Sequence, residues 1–236
     1  MSLEKENKAL AIIDRLRGSG FVAYLAGGCV RDRVLGVPAK DYDIATDARP
    51  EVVQELFDDT IAVGARFGVI IVVSGGDPFE VATFRADAPY VDGRRPSAVR
   101  FGTVEEDARR RDFTIGGMYF DPATGRVIDL VNGMRDLHAG VIRAIGNPNE
   151  RFEEDHLRVL RAIRFAARFN FEIDAATWTA MRRAAPKIAR IAAERIGEET
   201  VAIMTGGCAG RGLELMRESG LLEVVMPEVL PMIGCA

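Results

Sequence analysis

Residues 25–47 read LAGGCVRDRVLGVPAKDYDIATD, an apolar run that breaks into two glycines and is soon followed by Asp-Tyr-Asp. The pattern predicts a strand over Val22–Ala26 and a helix over Cys29–Leu35, with Gly27 and Gly28 at the turn between them. Glycines in that place let the backbone approach a phosphate, and the helix behind them offers unpaired N–H groups and the positive end of its dipole. A second strand is predicted over Asp41–Ala45. Residues two apart on a strand share a face, so Asp41 and Asp43 would present both carboxylates on one side, about 6–7 Å apart along the backbone. Two such groups suit a pair of hard cations roughly 4 Å apart. Alone, Asp-x-Asp reads better as a solvated acidic pair than as a metal site. The dinucleotide fingerprint is not matched, because the glycines are adjacent and no acidic residue follows at the required distance, which disfavours hydride chemistry. Arg31 and Asp32 would place phosphate and orient each other, or form an ordinary surface ion pair.

The composition, 48 % apolar and 28 % charged over 236 residues, is that of a globular chain of one or two domains. No apolar run approaches the roughly 20 residues needed to cross a bilayer. The start, MSLEKENKAL, lacks the basic and apolar regions of a signal peptide, so a cytoplasmic protein without a membrane partner is expected. Cys29, Cys208 and Cys235 are odd in number and widely spaced, which reads as reduced thiols. His138 and His156 are too isolated for a histidine metal site, so any metal would be held by oxygen. A net charge of −4 argues against a basic nucleic-acid coat. Arg and Lys nevertheless outnumber Asp and Glu between Arg151 and Arg195, a region that can meet phosphate.

The first half mixes a helix over Glu4–Arg17 with strands over Val69–Val73, Phe79–Arg85, Phe113–Phe120 and Val127–Asp129. From about Asn149 the chain turns to Ala, Arg, Glu and Leu at helical spacing, which reads as a helix bundle. The boundary is expected at the turn-rich Gly146-Asn147-Pro148-Asn149, giving domains 1–146 and 147–236. The stretch from Ala86 to Arg100 reads as a long polar connection of the kind that is usually functional or mobile.

With its companions, the opening stretch resembles the signature of the class II tRNA nucleotidyltransferase (CCA-adding enzyme) and bacterial poly(A) polymerase family. The companions, in the family's order, are PFEVATFRAD, YVDGRRPSAVRFGTVEEDARRRDFTI, VIDLVNGMRDLHAGVIRAIGNP, RFEEDHLRVLRAIRFAARFNFEID and ERIGEE. The resemblance implies an α+β fold: a polymerase-β-like nucleotidyltransferase head with a mixed or antiparallel sheet and flanking helices, then an all-α neck. It implies transfer of CMP or AMP from CTP or ATP to the 3′ end of tRNA, with pyrophosphate released and two Mg2+ ions held by Asp41 and Asp43. Glu80 would be the third carboxylate. Arg110, Arg111 and Asp112 close the DxxRRD stretch begun by Asp107, and there one or two arginines would donate to triphosphate oxygens. The family continues past the neck with a helical body and tail, whereas this chain ends at LPMIGCA, which reads as a truncated form.

Base choice has a donor-inventory argument behind it. A helix beginning near Glu153 would carry Asp155 and Arg158 on one face. Cytosine and adenine both present an exocyclic amine beside a ring-nitrogen acceptor. A carboxylate would take the amine and a guanidinium would give to the ring nitrogen, leaving U or G with opposed groups. Arg158, Arg161, Arg164 and Arg168 form a basic stripe that would guide an RNA 3′ end or stay a solvated face. Glu194 and Arg195 are expected to buttress the neighbouring helix.

One departure stands out: Ile115-Gly116-Gly117-Met118 replaces the family's Ile-Asn-Ala-Met. It keeps open a non-catalytic RNA-binding protein beside the enzymatic reading, within which poly(A), CC-only or A-only synthesis are the alternatives.

Overall fold

The computed structural model describes residues 2–87 and 99–234. The chain falls into two compact units, one formed by the segments up to residue 88 and from 98 to 134, the other by residues from 135 onward.

The first unit opens with α1 (Ser2–Gly18), whose Ala9, Ile12, Ile13 and Leu16 are buried at three- and four-residue spacing. Each large side chain so buried is worth about 1.5–3 kcal/mol, which fixes the helix against the sheet. There follow β1 (Ala23–Ala26), α2 (Gly28–Val34), β2 (Asp43–Thr46), α3 (Pro50–Leu56), β3 (Thr60–Gly64), β4 (Val69–Ser74) and β5 (Asp77–Thr83). Next come β6 (Arg85–Asp87), β7 (Val99–Phe101), α4 (Val104–Arg110), β8 (Met118–Asp121) and β9 (Arg126–Asp129); α5 (Gly133–Ala139) starts in this unit and continues into the second. Seven strands make one sheet in the order β3-β4-β5-β2-β1-β8-β9. It is antiparallel except between β2 and β5, where Ile44 faces Val81 in parallel register. Tyr119 is fully buried at its centre with Ala26, Ala45, Phe84 and Ala108 around it, and the Phe84 ring meets it edge-on.

Several expectations need correction. Asp41 lies outside the strand, which begins at Asp43. Alternation nevertheless reaches back to it, since Asp41 and Asp43 are exposed while Tyr42 and Ile44 are buried. The strand expected over Phe113–Phe120 is a 3-10 turn at Thr114–Gly116 followed by β8, because Gly116 and Gly117 supply a turn before the pairing begins. The hairpin strand β3 was not foreseen. The ends of the expected long connection are paired strands, Ala86 with Arg100 and Asp87 with Val99. Its centre, residues 88–98, lies outside the described residues, as does Cys235.

The second unit is helical: α6 (Pro148–Glu154), α7 (Arg158–Phe169), α8 (Ala175–Ala184), α9 (Ala193–Thr205), α10 (Ala209–Ser219) and α11 (Leu222–Val225). A two-residue parallel pair, Val141–Ile142 with Glu172–Ile173, ties its first segment to the bundle. Among the described residues no helix is long and apolar enough to cross a membrane.

Candidate active site

The glycine turn hangs from the centre of the sheet. Ala26 pairs with Asp43 on one side and Tyr119 on the other, so the chain emerges at Gly27 between the two. Gly27 takes φ 71° and ψ −121°, a mirror-image conformation that only glycine adopts readily, and its N–H donates to the Met118 carbonyl at 3.0 Å. A β-carbon there would lie 3.0 Å from Arg111 Nη1, and one on Gly28 would lie 3.7 Å from Arg31 Nη2. Each glycine therefore faces a guanidinium. The helix behind them, α2, has only seven residues, so positive charge at the turn comes more from these arginines than from a helix dipole.

Both arginines are held from behind. Arg31 donates through Nε and Nη2 to Asp32 Oδ1 at 2.8 and 2.6 Å, and both residues are 5 % exposed. This is a buried pair, which overturns the surface ion-pair alternative. Arg111 follows α4, whose start is set by a capping box: Glu106 N–H donates to Thr103 Oγ1, and Thr103 N–H to Glu106 Oε2. At the helix end Arg111 turns extended, φ −69° and ψ 166°, and its side chain folds back. It donates to Asp107 Oδ2 at 3.1 and 3.2 Å and to the Gly116 carbonyl at 3.4 Å, with the Tyr119 ring 4.9 Å away. Arg110 donates to the other Asp107 oxygen at 2.8 Å, and Tyr119 Oη donates to Oδ2 at 2.6 Å. Burial opposes the charge on Asp107, but Arg111, Arg110 and the Tyr119 hydroxyl outweigh it and hold its carboxyl below the usual range. Asp112, next in the chain, is half-buried. Tyr119 carried no signal in the sequence beyond an aromatic in a strand.

On the carboxylate side, Asp43 and Glu80 each stand one position before the registered pair Ile44 and Val81 on adjacent parallel strands. They therefore share a face of the sheet. Surrounding protein, then the charges of Glu80 and Asp41, push the Asp43 carboxyl up to about 6, against the pull of Arg111 and Lys5. The same environment, burial first and Asp43 second, lifts the Cys29 thiol to about 12, so this buried cysteine is inert. Asp41 accepts from Lys5 Nζ at 2.7 Å, a partner sequence reasoning missed because a lysine on a surface helix looks solvated. Asp41, Asp43 and Glu80 offer only oxygen, the donor type of hard divalent cations, and their mutual repulsion is the electrostatic state such a cation would relieve. Among the described residues no group of three or more His, Cys, Asp or Glu is arranged to hold a metal ion.

In the second unit the expected shared helix face is absent. Asp155 sits in a break between α6 and α7 with extended backbone, φ −143° and ψ 107°. Its Oδ1 accepts from Leu157 N–H at 3.0 Å, so the carboxylate competes with the helix and opens the next one. Its Oδ2 accepts from Arg195 at 3.1 Å, the buttressing contact anticipated for that arginine. Arg158 begins α7 and is 5 % exposed; Nη1 donates to the Arg151 carbonyl at 2.8 Å and to Glu154 Oε2 at 2.6 Å. It thus leaves the solvated stripe. Arg161 is half-buried, Arg164 pairs with Glu199 at 2.7 Å, and Arg168 is exposed.

The profile of the family described as "Poly A polymerase head domain" matches residues 23–143, about half of the chain, and these residues carry the glycine turn, the carboxylates and the arginine pair. The chain belongs to the poly A polymerase head domain family. A second profile, "Probable RNA and SrmB- binding site of polymerase A", matches residues 170–233. Among relatives of this family member, the CCA-adding enzyme of Ligilactobacillus salivarius is 42 % identical over 217 residues, 92 % of this chain and 54 % of the relative. That of Bacillus licheniformis is 44 % identical over 217 residues, with the same coverage of each chain. In three dimensions the chain is similar to the Bacillus stearothermophilus CCA-adding enzyme in complex with CTP, at TM-score 0.84 and 39 % identity, over 91 % of this chain and 52 % of that one. It is also similar to the Thermotoga maritima CCA-adding enzyme complexed with tRNA, at TM-score 0.77 and 26 % identity, over 94 % and 52 %. The chain spans about half the length of the curated relatives it matches.

Proposed function

We propose that this chain is the catalytic part of a template-independent nucleotidyltransferase that adds CMP and AMP from CTP and ATP to the 3′ end of tRNA. The observation that carries the reading is the central turn, where Gly27 and Gly28 face the held guanidinium groups of Arg111 and Arg31 while Asp43 and Glu80 share the adjoining strands. Residues 1–146 work as the catalytic head and residues 147–236 as the nucleotide-selecting, RNA-binding neck.

In this reading Gly27 and Gly28 let triphosphate oxygens approach the backbone, and Arg31, Arg110 and Arg111 donate to them. Asp107 keeps two of those arginines aimed, and Asp112 closes the same rim. Asp41 and Asp43 would hold two Mg2+ ions, with Glu80 as the neighbouring third carboxylate. When bound, such ions lower the pKa of the attacking 3′ hydroxyl and neutralise the leaving pyrophosphate. Although Asp155 and Arg158 share no helix face, in this reading Asp155 accepts the exocyclic amine of C or A, Arg158 donates to the ring nitrogen, and Arg161 contacts the nucleotide or RNA backbone. Reliance on tRNA goes with a cytoplasmic site of action.

The family description favours one rival, adenylation alone, as in a poly(A) polymerase. The test offers tRNA ending before its CCA, Mg2+ and each labelled NTP in turn to the protein. Incorporation of C followed by A supports CCA addition, runs of A alone support the rival, and no incorporation of any nucleotide removes the enzymatic reading in favour of a non-catalytic RNA binder.

A further inference from the structure

The N-terminal helix brings two lysines onto the acidic strands. Lys5 Nζ donates to Asp41 Oδ1 at 2.7 Å and to the Lys40 carbonyl at 3.1 Å. Its side chain is 22 % exposed where that of Asp41 is 78 % exposed, so the lysine is the better packed partner of the two. One turn on, Lys8 Nζ donates to Asp77 Oδ2 at 2.7 Å at the mouth of β5 and to the Gly75 carbonyl at 3.3 Å. The helix that carries them is anchored by its buried apolar side chains. It is pinned at its start by Arg33 on Glu6 Oε1 at 2.5 Å and by the Tyr42 hydroxyl on Glu6 Oε2 at 3.3 Å. Lys5 has its backbone fixed by the helix, and its part-packed stem has less rotamer freedom to lose in making the pair than a fully exposed lysine would. Its charge also favours the ionised forms of Asp43 and Asp77, so it acts on the carboxylate cluster beyond its direct partner.

We infer that Lys5 is an internal counter-cation of the Asp41, Asp43 and Glu80 cluster, occupying Asp41 until a divalent cation takes that carboxylate, and so sets how tightly the cation is held. This rests on the reading of Asp41 and Asp43 as metal ligands. One ammonium offsets part of the repulsion among three carboxylates, and a divalent ion that recruits Asp41 must break the Lys5 pair. That cost is subtracted from its affinity. Lys8, paired with Asp77 away from these ligands, shares the helix and the chemistry but not the consequence.

The experiment titrates Mn2+ alone, with free ion counted by electron paramagnetic resonance, into the wild-type protein and its Lys5→Met, Lys8→Met and Asp43→Asn variants. Melting temperatures are taken in EDTA and in saturating Mn2+. Lys5→Met keeps the apolar stem and should bind Mn2+ about fivefold more tightly, the scale of one ion pair removed from competition. It should melt lower than wild type in EDTA and recover in Mn2+. Lys8→Met should lose melting temperature equally in both conditions and bind Mn2+ as wild type does. If Asp43→Asn loses Mn2+ while Lys5→Met binds it no more tightly than wild type, the inference is wrong and the ligand reading stands. If Asp43→Asn binds Mn2+ as well as wild type, the ligand reading fails and the inference falls with it.

Discussion

Arg111 Nη1 lies 3.0 Å from the point a β-carbon on Gly27 would occupy, so the glycine and the guanidinium share one small space at the centre of the sheet. Gly27→Ala meets two penalties, a backbone conformation that costs a non-glycine residue about 1–3 kcal/mol and displacement of a guanidinium that Asp107 holds. Gly28 has room, with its nearest neighbour at 3.7 Å. Gly27→Ala should therefore lower the melting temperature and raise the KM for CTP about tenfold or more, while Gly28→Ala stays near wild type in stability. Equal behaviour of the two variants would contradict the cradle.

The Asp43 carboxyl, raised to about 6 from the ordinary aspartate value of 3.8, makes a pH prediction with a definite sign. The folded state holds the proton more tightly than the unfolded chain, so this group's contribution to stability is intact below about pH 4 and is lost as pH rises through about 6. Asp43→Asn removes that loss. Solvent screens this half-open carboxyl, so in EDTA the variant should be more stable than wild type by about 1 kcal/mol at pH 7, and the gap should close by pH 4. Urea melts across that range read it directly. A gap independent of pH would mean that neither burial nor the charges of Glu80 and Asp41 raise the Asp43 carboxyl.

At Gly116, where the resemblance implies an amide, the position is not spatially closed. Its backbone has no positive φ and a β-carbon would meet nothing within 4 Å. Gly116→Ala should stabilise the protein by about 0.4–1 kcal/mol through the unfolded chain, measured as a shifted denaturation midpoint. Destabilisation would show that this turn needs glycine for a reason other than space.

Asp155 caps the turn before α7 and holds Arg195. Asp155→Ala should cost about 1–2 kcal/mol of stability from the lost cap and contact. Its sharper signature is selectivity: kcat/KM for C over U should fall about 10- to 100-fold, the about 1–3 kcal/mol that one lost hydrogen-bond partner costs. A variant that loses stability but keeps its C over U ratio would confine Asp155 to a structural role.

Much of the head was legible in the sequence because short-range signals and tertiary needs agreed there. The apolar run before Gly27, the glycine pair and the alternation from Asp41 to Ile44 each encode one local geometry, and β1, α2 and β2 fall within a residue or two of their expected bounds. The pair Asp155 and Arg158 was legible in residue type but not in placement. Helical spacing suggested one face, whereas the Asp155 side chain takes the Leu157 N–H and breaks the helix. Burial of Arg31, Asp32 and Arg158 was hidden because a charged residue gives no sequence sign that its partner lies inside. Contacts distant in the chain, Lys5 with Asp41 and Tyr119 with Asp107, depend on sheet order and could not be read from spacing.

The most direct measurement of the central claim is incorporation of each of the four labelled nucleotides onto tRNA lacking its terminal CCA, with Mg2+ and with EDTA. The account predicts C and A incorporation that needs the metal, with U and G lower by about two orders of magnitude, the cost of polar groups left opposed and unpaired. Incorporation of U or G as readily as C and A, or none of any nucleotide, would contradict it.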